Sequence, residues 1–90
     1  MNKIIIANWK LNPLFEKEAI KLAKAIDAPD VVIAPPYPFL HGVGETIKKA
    51  KLGAQDVFWE NPPTGGAFTG EVSLQMLKNF GVPYLILGHS

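Results

Sequence analysis

The chain has 90 residues, 48% of them hydrophobic, and nine basic against eight acidic side chains give a formal net charge of +1. This length suits one small globular domain, and the balanced charge lacks the basic excess expected of a nucleic-acid-binding protein. Cysteine is absent, which excludes disulfide bonds and Cys/His zinc sites. The apolar run near the N-terminus is too short for a secretory signal or a membrane span. We therefore expect a soluble, cytoplasmic protein with one domain over residues 1–90.

Four short apolar runs alternate with helical patterns along the chain. Residues 4–7 and 31–34 are apolar and rich in β-branched side chains, as expected of strands covered on both faces. Asn12 before Pro13 predicts the start of a helix that ends near Ala28, because asparagine suits the N-cap and proline the first helical position. The later predicted elements are a helix over 43–50, a strand over 52–58, a helix over 71–80 that Glu71 and Ser73 help to cap, and a strand over 84–87. The order is βαβαβαβ.

This alternation predicts a parallel sheet, in which chemistry gathers at the carboxyl ends of the strands. The unusual polar side chains do follow the apolar runs. They are Asn8 and Lys10 after the first run, Gln55 within the third, and His89 and Ser90 after the fourth. The proline-rich loop 35–38 supplies no such group.

Asn8 and Lys10 are predicted to point to one side of the strand end, with Trp9 on the other. An ammonium beside an amide suits a small anion, such as a phosphorylated metabolite or a carboxylate. An ordinary solvated lysine fits the same spacing. His89 suits a general acid or base or a hydrogen-bond donor, and equally a ring that satisfies a strand-end backbone group. The glycines match neither common phosphate-loop fingerprint.

Longer motifs resemble a known family. They are Asn8-Trp9-Lys10, Gly53-Ala54-Gln55-Asp56, the run GGAFTGEVS over 65–73, and GVPY over 81–84 leading to Gly88-His89-Ser90. In this order and spacing they closely resemble the N-terminal part of triosephosphate isomerases, over essentially the whole chain. The resemblance implies an α/β fold, namely the first part (βαβαβαβ) of a (β/α)8 TIM barrel.

The resemblance also implies roles for single residues. His89 matches the electrophilic histidine that polarises the substrate carbonyl, and Lys10 matches the lysine that binds substrate and stabilises developing negative charge. Asn8 is expected to shape the substrate site. Gln55, Thr69 and Ser90 are expected to support the site or the contact between subunits, while Asp56 stands where the family commonly has asparagine. No metal or organic cofactor is implied.

A complete (β/α)8 barrel needs about 250 residues. We therefore expect a companion chain or segment to supply the remainder, including the catalytic glutamate base, and we expect this chain to be inactive alone. An open sheet exposes its edges and leaves its inward face, including Ile4 and Ile6, uncovered. Complete barrels are expected to pair through the loop 59–70 and to act on a phosphorylated triose. Two alternatives stay open: a non-catalytic half-barrel that self-associates, and a structural fragment that binds an intact barrel subunit.

Overall fold

The computed structural model describes residues 3–87 and confirms the predicted order βαβαβαβ. The elements are β1 (Ile5–Asn8), α1 (Glu16–Ile26), β2 (Val31–Ala34), a 3-10 turn (Tyr37–Phe39), α2 (Leu40–Thr46), β3 (Lys51–Ala54), α3 (Leu74–Phe80) and β4 (Tyr84–Leu85). The strands form one parallel sheet in the order β1-β2-β3-β4. The fold is therefore α/β and matches the first part of a TIM barrel. Among the described helices, none combines the length and the hydropathy of a membrane span.

The helices cover one face of the sheet, which we call the helix-covered face. Ile33 of β2 and Leu52 of β3 are paired in register on this face, and Ala54 lies two residues beyond Leu52. Together they form the core with apolar residues of the three helices, namely Ala19, Ala23, Leu40, Val43 and Leu77. Small alanines on α1 let this helix pack closely against α2, and the core lies between the sheet and a single layer of helices.

The opposite face of the sheet, which we call the open face, carries Ile4, Ile6 and Tyr84. Ile4 is 62% exposed and Ile6 is 59% exposed, although both are large apolar residues. The expectation of an uncovered inward face is confirmed for Ile4 and Ile6, whereas Val32, which is paired with Ile6 on the same face, is only 4% exposed. The expectation that the first strand is covered on both faces is wrong for β1 in this chain, because the described helices all pack on the other side of the sheet. β2 is buried because it has a strand on each side.

The first helix begins later than predicted. Asn12 is not the N-cap and Pro13 is not the first helical residue, because Phe15 still has extended backbone angles and α1 begins at Glu16. The Asn12 side-chain amide instead donates to the carbonyl oxygen of Trp9 at 3.5 Å, so it stabilises the turn after β1. Glu16 and Glu18 place negative charge in the first turn, which the helix dipole favours.

Other boundaries also differ from the predictions. β3 ends at Ala54 instead of residue 58, β4 is assigned to Tyr84–Leu85 instead of 84–87, and α3 begins at Leu74 instead of residue 71. Ser73 caps α3 as predicted, since its hydroxyl oxygen accepts the backbone N–H of Met76 at 3.2 Å.

The predicted helix over 43–50 begins at Leu40 and ends at Thr46. It ends there because the Asp27 side chain binds the backbone N–H groups of the residues that follow. Its carboxylate accepts the backbone N–H groups of Lys48, Lys49 and Ala50 at 2.8, 2.9 and 2.6 Å. These groups would otherwise continue the helix. Asp27 thus ties the end of α1 to the segment that leads into β3.

We expect the stability of the chain to depend on the ionisation of Asp27. The backbone donor of Ala50, followed by that of Lys48, holds the pKa of this carboxyl below its ordinary value of 3.8. A lowered pKa in the folded state gives stabilisation that is fully present above pH 3.8 and is lost as the pH falls through the lowered value. Asp27→Asn should therefore lower the free energy of unfolding at neutral pH and flatten its decline in acid.

Urea denaturation at a series of pH values checks this expectation, with Asp30→Asn as the control because Asp30 is an exposed aspartate three residues away. An acid profile of Asp27→Asn that runs parallel to that of the unsubstituted chain would contradict it.

Candidate functional site

An open depression of about 520 Å³ lies at the carboxyl ends of the first three strands. Its polar lining residues are Asn8, Lys10, Tyr37, Gln55 and Asp56. Asn8 and Lys10 were predicted as site residues from their positions after the first apolar run, and Gln55, within the third run, was expected to support the site. The parallel arrangement of the strands brings these side chains together although Asn8 and Asp56 are 48 residues apart in the sequence.

The turn after β1 presents Lys10 to this depression. β1 ends at Asn8, and Lys10 has a left-handed backbone with a φ of 57°. The sequence had suggested that the alternation of a strand sets the direction of the Lys10 side chain. In the structure a turn sets it instead. For a residue with a Cβ this conformation costs about 1–2 kcal/mol, so it needs support from its neighbours. The Asn8 side-chain oxygen provides part of that support by accepting the Lys10 backbone N–H at 3.0 Å.

Trp9 anchors the same turn from the opposite side. Its side chain is buried in the core, and its backbone N–H donates to the carbonyl oxygen of Ala34 at 3.1 Å. The end of β1 is thereby joined to the end of β2 while Asn8 and Lys10 stay at the surface of the depression. The buried Trp9 thus fixes the end of β1, and with it the positions of Asn8 and Lys10 on either side.

Gln55 follows β3 directly and connects three strand ends. Its side-chain nitrogen donates to the carbonyl oxygen of Lys10 at 2.7 Å and to that of Ala34 at 2.9 Å. Both contacts go to backbone atoms within the chain. This places Gln55 under the turn that carries Lys10.

Tyr37 is a lining residue that the sequence did not indicate. Its hydroxyl donates to the backbone carbonyl oxygen of Asp56, so the loop after β2 does contribute a polar group, contrary to the expectation for residues 35–38. Burial, and then the negative charges of Asp56 and Glu71, raise the pKa of this hydroxyl above its ordinary value of 10.0. The phenol therefore stays protonated and remains a donor. The sequence feature that could have indicated Tyr37 as a lining residue is its place between two prolines, directly after a strand.

Thr69 lies in the long loop between β3 and α3, and it is exposed and does not line the depression. The loop has an ordered base: the Phe58 backbone N–H donates to the Val72 carbonyl at 2.8 Å, and the rings of Phe58 and Phe68 are 4.9 Å apart. Trp59, in contrast, is 82% exposed. The loop is thus held at its base while it displays an aromatic side chain.

His89 and Ser90 lie outside the described residues, so their predicted roles stay predictions. Directly after β4 the chain stays alongside β3, since the Ile86 backbone N–H donates to the Ala54 carbonyl oxygen at 3.0 Å. The described residues include no group of three or more acidic or histidine side chains arranged to hold a metal ion.

The depression thus combines the Lys10 ammonium and the Asp56 carboxylate with the neutral polar groups of Asn8, Tyr37 and Gln55 at the carboxyl ends of parallel strands. A positive charge in such a place can bind a small anion and can stabilise negative charge that develops on a bound molecule. In α/β folds of this type, that edge of the sheet is where enzymes place their active sites. The fold therefore belongs to the TIM-barrel class, and the polar depression lies at the carboxyl ends of its strands.

Comparison with known proteins gives the family. The family model for triosephosphate isomerase matches residues 3–90. The chain is 43% identical to the triosephosphate isomerase of Dictyoglomus thermophilum, over 98% of its own length and 37% of the relative's. It is 40% identical to that of Acidithiobacillus ferrooxidans, with 97% and 36% covered. It is 44% identical to that of Clostridium botulinum, with 97% and 37% covered. The chain belongs to the triosephosphate isomerase family, as its motifs had indicated, and it spans a little more than a third of the length of these relatives.

Proposed function

We propose that this chain forms the N-terminal part of an isomerase that interconverts dihydroxyacetone phosphate and glyceraldehyde 3-phosphate. The observation that carries the proposal is the placement of Lys10 and Asn8 on one depression at the strand ends of a chain from this family. The remaining barrel, with the glutamate base, is supplied by a companion chain or segment. We call the complex of the two the assembled barrel.

The chemistry assigned to these residues needs no net reactant other than the triose phosphate. The glutamate removes a proton from the carbon next to the substrate carbonyl, and the electron pair moves onto the carbonyl oxygen to give an enediolate. His89 donates a hydrogen bond to that oxygen, and the Lys10 ammonium stabilises the negative charge. The hydroxyl proton of the adjacent oxygen then moves to this oxygen, and the glutamate returns its proton to the carbon that carried the carbonyl. The carbonyl now lies on the neighbouring carbon, and no net proton is gained or lost.

The exposed surfaces support the need for further protein. Ile4, Ile6 and Tyr84 leave a largely apolar open face, and among the described strands none pairs with the outer side of β1. Unpaired strand edges and uncovered apolar faces favour association. In the assembled barrel these groups line the closed interior and pair with further strands.

The loop 59–70 is the proposed contact between two assembled barrels. Trp59 and Phe68 are exposed aromatic side chains on a loop with an ordered base, and aromatic residues of this kind often anchor interfaces. Thr69 at the tip of this loop then approaches the partner barrel near its Lys10.

Complementation tests the proposed activity. The chain is co-produced with the C-terminal portion of the Dictyoglomus thermophilum relative, beginning after the region matched here, in cells without their own triosephosphate isomerase. We expect isomerase activity from the two pieces together and none from either alone. Isomerase activity of the 90-residue chain by itself would overturn the need for a companion.

The open face also fits the alternative of a self-associating half-barrel, because a second copy would cover Ile4 and Ile6. Native mass spectrometry of the complementation mixture separates the two ideas. A complex of unlike pieces with activity supports the isomerase. A stable homo-oligomer that gains no activity with the added portion supports the half-barrel.

A further inference from the structure

The backbone of Lys10 is held at both of its hydrogen-bonding groups by side chains. Its N–H donates to the Asn8 side-chain oxygen at 3.0 Å, and its carbonyl oxygen accepts from the Gln55 side-chain nitrogen at 2.7 Å. Asn8 is two residues away, but Gln55 comes from a different strand, 45 residues later. One lysine peptide is thus fixed from two directions.

This arrangement matters because Lys10 has a backbone conformation that lysine rarely adopts. Only glycine and, less often, asparagine or aspartate favour a φ near 57°, so a lysine relaxes from it unless its surroundings hold it there. Lys10 is an exposed residue, and packing of its side chain provides little restraint. The two hydrogen bonds therefore hold the Lys10 backbone directly, in a turn that the buried Trp9 and the Asn12 amide also stabilise.

Gln55 is itself held in place. An amide NH₂ group has two hydrogens to donate, and the second goes to the Ala34 carbonyl at 2.9 Å, at the end of the buried strand β2. Gln55 cannot follow a movement of the Lys10 turn without losing its bond to β2. Through Gln55, the Lys10 carbonyl group is thus held at a fixed position relative to the end of β2.

We infer that Gln55 is a positioning residue for Lys10: its amide holds the left-handed turn and so fixes the direction in which the Lys10 ammonium enters the depression. This inference rests on the proposed function for its catalytic consequence. A rotation of the Lys10 backbone moves the ammonium at the end of a long side chain, and small misplacements of a charged group reduce catalysis strongly. Gln55 then affects the reaction through Lys10 and not through the substrate.

A double-mutant cycle in the assembled barrel tests the inference. Gln55→Ala is expected to lower kcat/KM by about tenfold when Lys10 is present, and by less than about twofold in a Lys10→Met background. Gln75→Ala is the matched control, because this exposed glutamine bonds to Asn79 on α3, away from the depression, and it should leave kcat/KM unchanged. Equal factors in the two backgrounds would show that Gln55 acts independently of Lys10 and would overturn the inference.

A second measurement separates failure of this inference from failure of the proposed function. In the 90-residue chain, a left-handed Lys10 gives a strong nuclear Overhauser effect between its amide and Hα protons. Gln55→Ala should weaken that effect, and Gln55→Met is the second variant should the alanine chain unfold. An unchanged effect in a folded variant overturns the inference. An assembled barrel that is inactive although this effect responds as expected overturns the proposed function alone.

Discussion

Replacement of Lys10 by methionine is expected to lower kcat/KM of the assembled barrel by about 10²–10³, the range typical for loss of one preorganised group that stabilises transition-state charge. Methionine keeps most of the length and apolar surface of lysine and removes only the ammonium. Because Lys10 is exposed and makes its described hydrogen bonds through its backbone, the substitution should leave the fold in place.

Steady-state kinetics together with circular dichroism check this expectation. Lys17→Met serves as the control, since Lys17 is an exposed lysine on α1. A rate for Lys10→Met within a few-fold of the unsubstituted barrel would show that this lysine is an ordinary surface charge, which was the alternative left open by its spacing.

The largest loss of stability is expected from Ile33→Ala. Ile33 is 0% exposed and lies in the centre of the helix-covered face, between the strands β1 and β3 and beneath the helices. Removing three carbon atoms from such a site leaves a cavity and costs about 2–5 kcal/mol. A domain of this size has a total stability near the low end of about 5–15 kcal/mol, so the variant should lose a large part of its free energy of unfolding.

Urea denaturation of the 90-residue chain measures this loss. Ile5→Ala is a matched control on the neighbouring strand, because Ile5 is 55% exposed and the same atoms are removed. We expect it to cost less than about 1 kcal/mol. Similar losses for the two variants would mean that the core is not organised around β2.

The sequence predicts the architecture well because the strands and the helices have different hydrophobic patterns. Unbroken β-branched runs such as 31–34 indicate buried parallel strands, and their alternation with helical periods indicates the crossovers between them. Ser73 was also predictable, because a serine side chain can satisfy a free N–H at the start of a helix. These signals act over a few residues and do not depend on distant parts of the chain.

The boundaries that differed depend on contacts between distant segments. The helix predicted over 43–50 ends early because the Asp27 carboxylate, about 20 residues earlier, accepts three of the backbone N–H groups that follow it. No local pattern near residue 47 contains that information. Asn12 failed as an N-cap for a similar reason, since its amide is used in the turn after β1.

In the candidate site too, features set by the local sequence could be predicted, and features set by contacts between distant segments could not. Asn8 and Lys10 could be identified from their position after a strand, and their likeness to a family motif gave them roles. The left-handed turn at Lys10 and the two backbone acceptors of Gln55 could not be identified, because they depend on how three strand ends meet. Tyr37 was missed because its hydroxyl reaches a backbone carbonyl 19 residues away.

The strand order has a consequence for how the chain folds. Each strand pairs with the one made immediately before it, so β2 can join β1, and β3 can join β2, as soon as each has been synthesised. Sheets whose neighbours are distant in sequence must wait for late segments and close long loops first. A ribosome-bound chain of this order can therefore acquire hydrogen-bonded structure progressively from its N-terminus, with each new strand added to the edge of the strand made before it.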